Sequence, residues 1–133
     1  MVLCMAKARR VTKTKPRKDG SEQICESAVN GILEKKGHDA VTLDLRELQN
    51  SVADFFVVCH GDSNTQVEAI ARSVEDEVEK ETGERPLFRE GLQNAEWVVL
   101  DYFTVVVHIF LKEKRDFYGI ERFWADAAVT KAG

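Results

Sequence analysis

Histidine and cysteine are the residue types in this chain that could bind a metal ion or supply a nucleophile. His38, His60 and His108 fall in separate predicted elements, and none has a cysteine or a second histidine at ligand spacing. Structural zinc requires four such ligands that converge, so we expect no metal site. Cys59 directly precedes His60, but neighbouring residues of a strand point to opposite faces of a sheet. The two therefore cannot act as a nucleophile and its base.

A second candidate is the loop Gly61-Asp62-Ser63-Asn64, which lies between a predicted strand and a predicted helix. Backbone N–H groups at such a position can hold an anion such as phosphate. The loop has a single glycine and no P-loop lysine, and Asp62 would repel phosphate. Capping of the helix by Asp62 or Ser63 explains these residues without a ligand. We therefore predict no cofactor and keep nucleotide binding as the alternative.

The predicted strand order is similar to that of nucleotidyltransferases. Those enzymes hold divalent metal ions with two acidic residues one residue apart on a strand. Asp101 has a valine at position 99 and a phenylalanine at position 103, and Asp44 pairs only with Glu47. We therefore predict that the chain is not an enzyme. A nucleotidyltransferase-like nucleotide-binding protein is the alternative.

The elements that position these residues follow from the spacing of apolar side chains. Ile24, Ala28 and Ile32 recur at helical spacing, and residues 54–60 form an apolar run typical of a strand covered on both faces. The predicted helices are 21–36, a second one from a cap at Asp62 or Ser63 to about residue 82, and 112–118, the last followed by a turn with Phe123 and Trp124. The predicted strands are 40–45, 54–60, 87–89, 96–101 and 103–111, and Pro86 indicates that the third lies at a sheet edge. We expect an α/β domain with a mixed five-stranded sheet and flanking helices.

The charges divide the chain into two parts. The first 20 residues contain seven of the nineteen basic side chains and one of the twenty-three acidic ones, which gives this segment +6 and leaves −10 for the rest. A length of 133 residues suits one domain. We predict a disordered basic tail over residues 1–20 and a single α/β domain over residues 21–133. An acidic surface repels phosphate backbones, so a basic protein suits the domain as a partner, while the tail could contact RNA.

No segment of the sequence predicts export or membrane insertion. The apolar stretch 1–6 is shorter than a signal-peptide core, and its basic residues follow it. No apolar run reaches the length of a membrane-spanning helix. The three cysteines are an odd number with no close pairing, which indicates a reducing compartment. We expect a cytoplasmic protein without a membrane partner.

What remains is a surface that could bind a protein. Arg89, Glu90 and Gly91 lead into the segment that carries Trp97, and Phe117 follows later in the sequence. Tryptophan, tyrosine and arginine dominate binding hot spots, so Trp97 beside a loop of mixed charge could anchor an interface. Composition alone allows equally that Trp97 and Phe117 fill the core.

Seven segments between residues 22 and 127 carry a resemblance, in order and without large gaps. They are Leu43-Asp-Leu45, Ala53-Asp-Phe-Phe-Val-Val58, Gly61-Asp-Ser-Asn-Thr-Gln-Val67, Glu90-Gly91, Ala95-Glu-Trp-Val-Val-Leu-Asp-Tyr102, Val105-Val-Val-His-Ile-Phe110 and Arg115-Asp-Phe-Tyr-Gly-Ile-Glu-Arg-Phe-Trp-Ala-Asp126. Together they resemble the ribosomal silencing factor family, also called Iojap-like proteins. Each motif is weak alone, and the ordered set is specific.

The resemblance implies a fold similar to nucleotidyltransferases without their active site, in agreement with the missing acidic pair. It implies binding to the large ribosomal subunit through its fourteenth protein, near the face that meets the small subunit. A factor bound there blocks subunit joining and represses translation when nutrients are scarce. Related organellar members act in large-subunit assembly, which is the alternative function. Members also look able to form homodimers, and the basic tail could contact ribosomal RNA.

The family's binding surface is carried over residue by residue. It falls on Arg89, Glu90, Gly91, Trp97, Asp101 and Tyr102, and further on His108, Phe117 and Tyr118. An acidic domain that meets a basic ribosomal protein should associate by charge steering and lose affinity with salt. The family has a glycine and an acid where this chain has Phe103 and Thr104. A turn without that glycine is expected to differ in geometry.

Overall fold

A computed structural model of the chain describes residues 20–48 and 51–132. In chain order its elements are α1 (Gly20–Glu34), β1 (His38–Asp44), β2 (Phe55–Gly61), α2 (Asn64–Thr82), β3 (Phe88–Glu90), β4 (Trp97–Asp101), β5 (Val105–Leu111), α3 (Lys112–Tyr118), α4 (Ile120–Phe123) and β6 (Ala128–Lys131). Every helix and strand expected from the sequence is present, with ends displaced by a few residues. The predicted basic tail lies outside the described residues, apart from Gly20.

The strands form one mixed sheet in the order β3-β4-β5-β2-β1-β6. β2 and β5 are parallel neighbours in its interior, and the remaining neighbours are antiparallel. β3 is an edge strand, which confirms the prediction from Pro86. The expected count of five strands was wrong, because β6 pairs with β1 along the other edge. All four residues of β6 are exposed, so the strand lacks the alternation of buried side chains that reveals a strand in a sequence.

The two faces of the sheet bury separate cores. We call the side covered by α1 and α2 the helix face, and its strand residues include Val57 and Leu100. The opposite side, the second face, includes Phe56, Val99 and Phe110. The second face is covered by residues 45–48 and 51–53, between β1 and β2, and by residues 120–127. None of the described helices is long and apolar enough to span a bilayer.

Candidate protein-binding surface

An aromatic cluster is centred on Trp97 at the second face. The antiparallel register of β4 and β5 pairs Trp97 with Phe110 and Val99 with His108. The Trp97 ring stacks on Phe110, with centroids 5.2 Å apart and planes 26° apart, and the Tyr118 ring lies 4.5 Å from it. We call Trp97, His108, Phe110 and Tyr118 the indole cluster. The sheet register fixes the positions of Trp97, His108 and Phe110, and the helix after β5 adds Tyr118.

Part of this cluster continues into solvent. α3 starts directly after β5, and this connection carries Phe117 and Tyr118 towards Trp97. Phe117 is 75% exposed and Tyr118 is 47% exposed, while Trp97 is half-buried. The Phe117 and Tyr118 rings meet edge to face at 5.2 Å. We call Trp97, Phe117 and Tyr118 the aromatic patch. The sequence had allowed Phe117 either to fill the core or to lie at an interface, and its exposure excludes burial in the core.

Charged side chains border the aromatic patch. The Lys114 ammonium lies 5.7 Å from the centroid of the Phe117 ring and 3.9 Å from the Glu96 carboxylate. Glu90 is exposed on the edge strand β3 and pairs with Val99, which places it at the second face. The surface therefore combines an apolar centre with a rim of mixed charge, which is the usual composition of a protein interface.

His108 lies beneath Trp97 and does not reach solvent. Its side chain is 1% exposed, and its Nδ1 atom accepts a hydrogen bond of 3.1 Å from the Trp97 indole N–H. Burial lowers the pKa of His108 to about 3, because the interior disfavours the charged imidazolium. The ring is therefore neutral at physiological pH and can act as an acceptor.

Asp101 closes the corner between β4 and β5. It is fully buried, and its Oδ1 atom accepts a 2.7 Å hydrogen bond from the backbone N–H of Phe103. Phe103 has φ of 81°, in the left-handed region that favours glycine. Phe103 thus adopts a conformation typical of glycine, which places backbone strain at this residue of the corner.

Arg89 and Tyr102 lie on the helix face, opposite the aromatic patch. Arg89 pairs with Leu100 in the register of β3 and β4, and its guanidinium makes two hydrogen bonds to Glu75 of α2. Tyr102 is 5% exposed, and burial raises the pKa of its hydroxyl. The nine residues carried over from the family therefore do not form one continuous surface.

Gly91 shapes the chain behind Trp97. Its φ is 86°, and a Cβ atom at this position would lie 2.0 Å from the carbonyl oxygen of Trp97. Any larger residue would have to displace that backbone. Gly91 is therefore required for the close approach of the loop to β4.

Two backbone N–H groups at the loop considered for phosphate already have side-chain partners. Ser63 accepts a hydrogen bond from the Gln66 N–H at 3.1 Å and is the cap of α2, which confirms one of the two predicted caps. The side-chain oxygen of Gln66 accepts the Asp62 N–H at 2.7 Å. An anion would have to compete with both bonds, so the loop geometry favours capping over nucleotide binding.

One cluster of polar side chains was not predicted from the sequence. The register of β1 and β2 sets His38 opposite His60, with ring centroids 5.3 Å apart. Arg115 of α3 donates to the His60 Nδ1 atom at 2.9 Å and forms two bonds to Glu121 at 2.8 and 2.9 Å. Burial and the Arg115 charge lower the pKa of His60. These residues are far apart in sequence, and only the strand register reveals their proximity.

Metal binding finds no support in the part of the chain that the structure describes. Over residues 20–48 and 51–132, no group of three or more histidine, cysteine or acidic residues is arranged to hold an ion. Cys59 belongs to the core of the helix face, whereas His60 contacts Arg115. The two neighbours point apart, as the alternation of a strand requires.

Comparison with known proteins identifies the family. Residues 18–132 match the family model described as ribosomal silencing factor during starvation. The chain belongs to the ribosomal silencing factor family. The ribosomal silencing factor of Bacillus subtilis is 42% identical over 109 residues, which are 82% of this chain and 91% of that protein. Chloroplastic Iojap of Zea mays is 36% identical over 73 residues, which are 55% of this chain and 31% of Iojap.

A crystal structure from Chromobacterium violaceum has a similar fold. It superposes with a TM-score of 0.73 at 37% identity and covers 79% of this chain and 86% of its own. The predicted family and the α/β fold with a mixed sheet are confirmed. A ribosomal silencing factor takes its name from an effect on the ribosome and not from a catalysed reaction.

Proposed function

We propose that this ribosomal silencing factor binds the large ribosomal subunit through its fourteenth protein, blocks association with the small subunit and represses translation. The observation that carries the proposal is the aromatic patch of Trp97, Phe117 and Tyr118. Phe117 is 75% exposed and contributes little to the core, while its ring contacts a second exposed aromatic ring. Exposed, mutually packed aromatic side chains are typical of binding hot spots.

The structure suggests different roles for the nine carried-over residues. Trp97, Phe117 and Tyr118 would contact the partner, with Glu90 at the rim. Four further residues would act indirectly by holding β3, β4 and the Trp97 ring in place, namely Arg89, Gly91, Asp101 and His108. Tyr102 is buried on the helix face and would serve the core there. In this proposal the binding energy comes from three aromatic side chains and not from a wide polar surface.

Charge supports a basic protein as the partner. The chain beyond residue 20 carries −10, so a basic ribosomal protein would be attracted and bare RNA repelled. Association should be faster at low ionic strength and weaker as salt screens the charges. The basic tail is proposed as a separate contact with ribosomal RNA.

The test is comigration with purified large subunits in a sucrose gradient at low ionic strength. Trp97→Ala should remove the chain from the subunit peak. Phe117→Ser should also lose most binding, because truncation of a hot-spot ring costs about 2 kcal/mol or more, which is at least about 25-fold in affinity. Phe123→Ser is the matched control, since Phe123 is 76% exposed on the adjacent α4 but lies outside the aromatic patch. A folded Trp97→Ala protein that binds fully, or equal losses for both phenylalanines, would refute the surface.

Silencing implies a second measurement on the same variants. Wild-type protein should prevent purified small subunits from joining the large ones, and Phe117→Ser should not. Large-subunit assembly is the alternative use of the same surface. A deletion strain that accumulates immature large-subunit particles, with normal joining of mature ones, would favour assembly.

We further propose that the chain is cytoplasmic, has no catalytic activity and forms homodimers at high concentration. Calorimetric titration with nucleoside triphosphates and Mg²⁺ should give no binding heat. Sedimentation at increasing concentration would detect the dimer. Measured nucleotide binding would revive the nucleotidyltransferase-like alternative.

A further inference from the structure

The hydrogen bond between Trp97 and His108 sets the tautomer of the neutral histidine. The indole N–H can only donate, so the His108 Nδ1 atom must accept the 3.1 Å bond. In the neutral ring the proton then lies on Nε2. This second nitrogen is buried and has no hydrogen-bonding partner among residues 20–48 and 51–132.

An unpaired buried N–H is unfavourable for the fold, because it has lost its bonds to water without replacement. The residues paired with His108 are Val99 on β4 and Val58 on β2, so an apolar side chain is compatible with this part of the sheet. His108 also packs against Phe56, with ring centroids 4.6 Å apart. Packing alone would be served better by a phenylalanine or leucine. The histidine therefore needs another explanation, and within the described residues its side chain makes a polar contact with Trp97.

The Trp97 indole would otherwise have freedom to reorient. It is half-buried and held by ring contacts with Phe110 and Tyr118, and stacking of this kind does not fix which edge of the ring points inwards. A hydrogen bond to a rigid, buried acceptor does fix that edge. An ordered side chain loses less conformational entropy when a partner binds.

We propose that His108 is a positioning residue for the protein-binding surface: it holds the indole edge of Trp97 inwards and presents the ring face to the partner without touching the partner itself. The inference rests on the proposed function for its consequence in binding. The orientation of the indole can be measured in the free protein and does not depend on that function.

The test compares His108→Phe with wild type in the full chain. Phenylalanine keeps the ring shape and removes both the acceptor and the unpaired N–H. The Trp97 indole N–H signal in NMR should move and exchange faster with solvent. Affinity for purified large subunits should fall about fivefold, the equivalent of one neutral hydrogen bond. The urea midpoint should not fall below that of wild type.

A double-mutant cycle separates positioning from packing. Trp97→Phe has no indole N–H, so adding His108→Phe to it should cause no further loss of affinity. His108→Asn keeps an acceptor near the position of Nδ1 and should restore the indole signal towards that of wild type. Additive losses in the cycle would overturn the inference, as would an unchanged indole signal in His108→Phe.

The design also distinguishes the two proposals. If the wild-type chain does not bind large subunits, the proposed function fails, while the NMR comparison still decides whether His108 orients Trp97. If wild type binds and His108→Phe binds equally with an unchanged indole signal, the positioning role fails and the proposed function stands.

Discussion

Substitutions at Phe103 test whether the β4–β5 corner is strained. Phe103 has φ of 81°, where a residue with a Cβ atom costs about 1–2 kcal/mol relative to its ordinary conformations. Both Phe103→Gly and Phe103→Ala remove the aromatic ring and keep the backbone N–H that donates to Asp101. Their difference therefore isolates the effect of the Cβ atom on the backbone.

The expected sign is the opposite of the usual one. At ordinary φ, alanine is more stable than glycine by about 0.4–1 kcal/mol, because glycine has a more flexible unfolded chain. At Phe103 relief of strain should exceed this term, and Phe103→Gly should be more stable than Phe103→Ala by about 1 kcal/mol. That corresponds to about 4 °C in melting temperature for a domain of this size. Urea and thermal denaturation followed by circular dichroism provide both quantities.

Thr104 provides the matched control. It is the next residue in the same corner, and the positive-φ residues of the described chain do not include it. Thr104→Ala and Thr104→Gly lose the same hydroxyl contact with Ser21, so alanine should be the more stable by about 0.4–1 kcal/mol. If alanine is also the more stable at position 103, the corner is not strained and the reasoning from φ is wrong.

Two further predictions concern charged and titratable groups. Arg115→Met should lower the free energy of unfolding by about 2 kcal/mol, because the Arg115 side chain is 12% exposed and its loss leaves Glu121 without this ion pair. The control is Arg85→Met, whose arginine side chain is 78% exposed in its ion pair; it should change the free energy of unfolding by less than about 0.5 kcal/mol. Equal urea midpoints for the two variants would contradict this contrast. Burial lowers the pKa of His108 from 6.5 to about 3, so the unfolded chain takes up a proton between these pH values that the folded chain does not. His108 should therefore contribute a loss of stability on acidification through this range, of up to about 1 kcal/mol per pH unit. Urea titrations at pH 7 and pH 5 should show a smaller loss for His108→Phe, and equal losses would exclude this contribution.

The sequence predicted an element correctly where the pattern of apolar side chains was clear. The apolar run of β2 and the helical stripe of α2 end within a residue or two of the predicted bounds, because burial leaves a periodic pattern of apolar side chains. β6 left no such pattern, since its four residues are exposed and it is held by backbone pairing with β1. The pattern of side-chain hydrophobicity cannot predict a strand that is held mainly by backbone hydrogen bonds to its neighbour.

The candidate surface was only partly predictable. Membership of the family followed from ordered motifs in the sequence. The same motifs predicted Trp97 as a contact residue. The distribution of the nine carried-over residues over the two faces of the sheet could not be predicted, because it depends on strand register. The pairing of Arg89 with Leu100 turns Arg89 towards α2, while Glu90, paired with Val99, lies at the second face.

The sequence by itself determined the family, the helices and strands that carry an apolar pattern, and the acidic character of the domain, since these depend on residue type and local spacing. Only the tertiary structure decided which aromatic rings reach solvent. It also placed His108 beneath Trp97, with one nitrogen bonded to the indole and the other without a partner among the residues that the structure describes. The physical reason is that exposure and hydrogen bonding between strands depend on register and on the covering elements. A shift of one residue in register would turn every side chain of β4 to the other face.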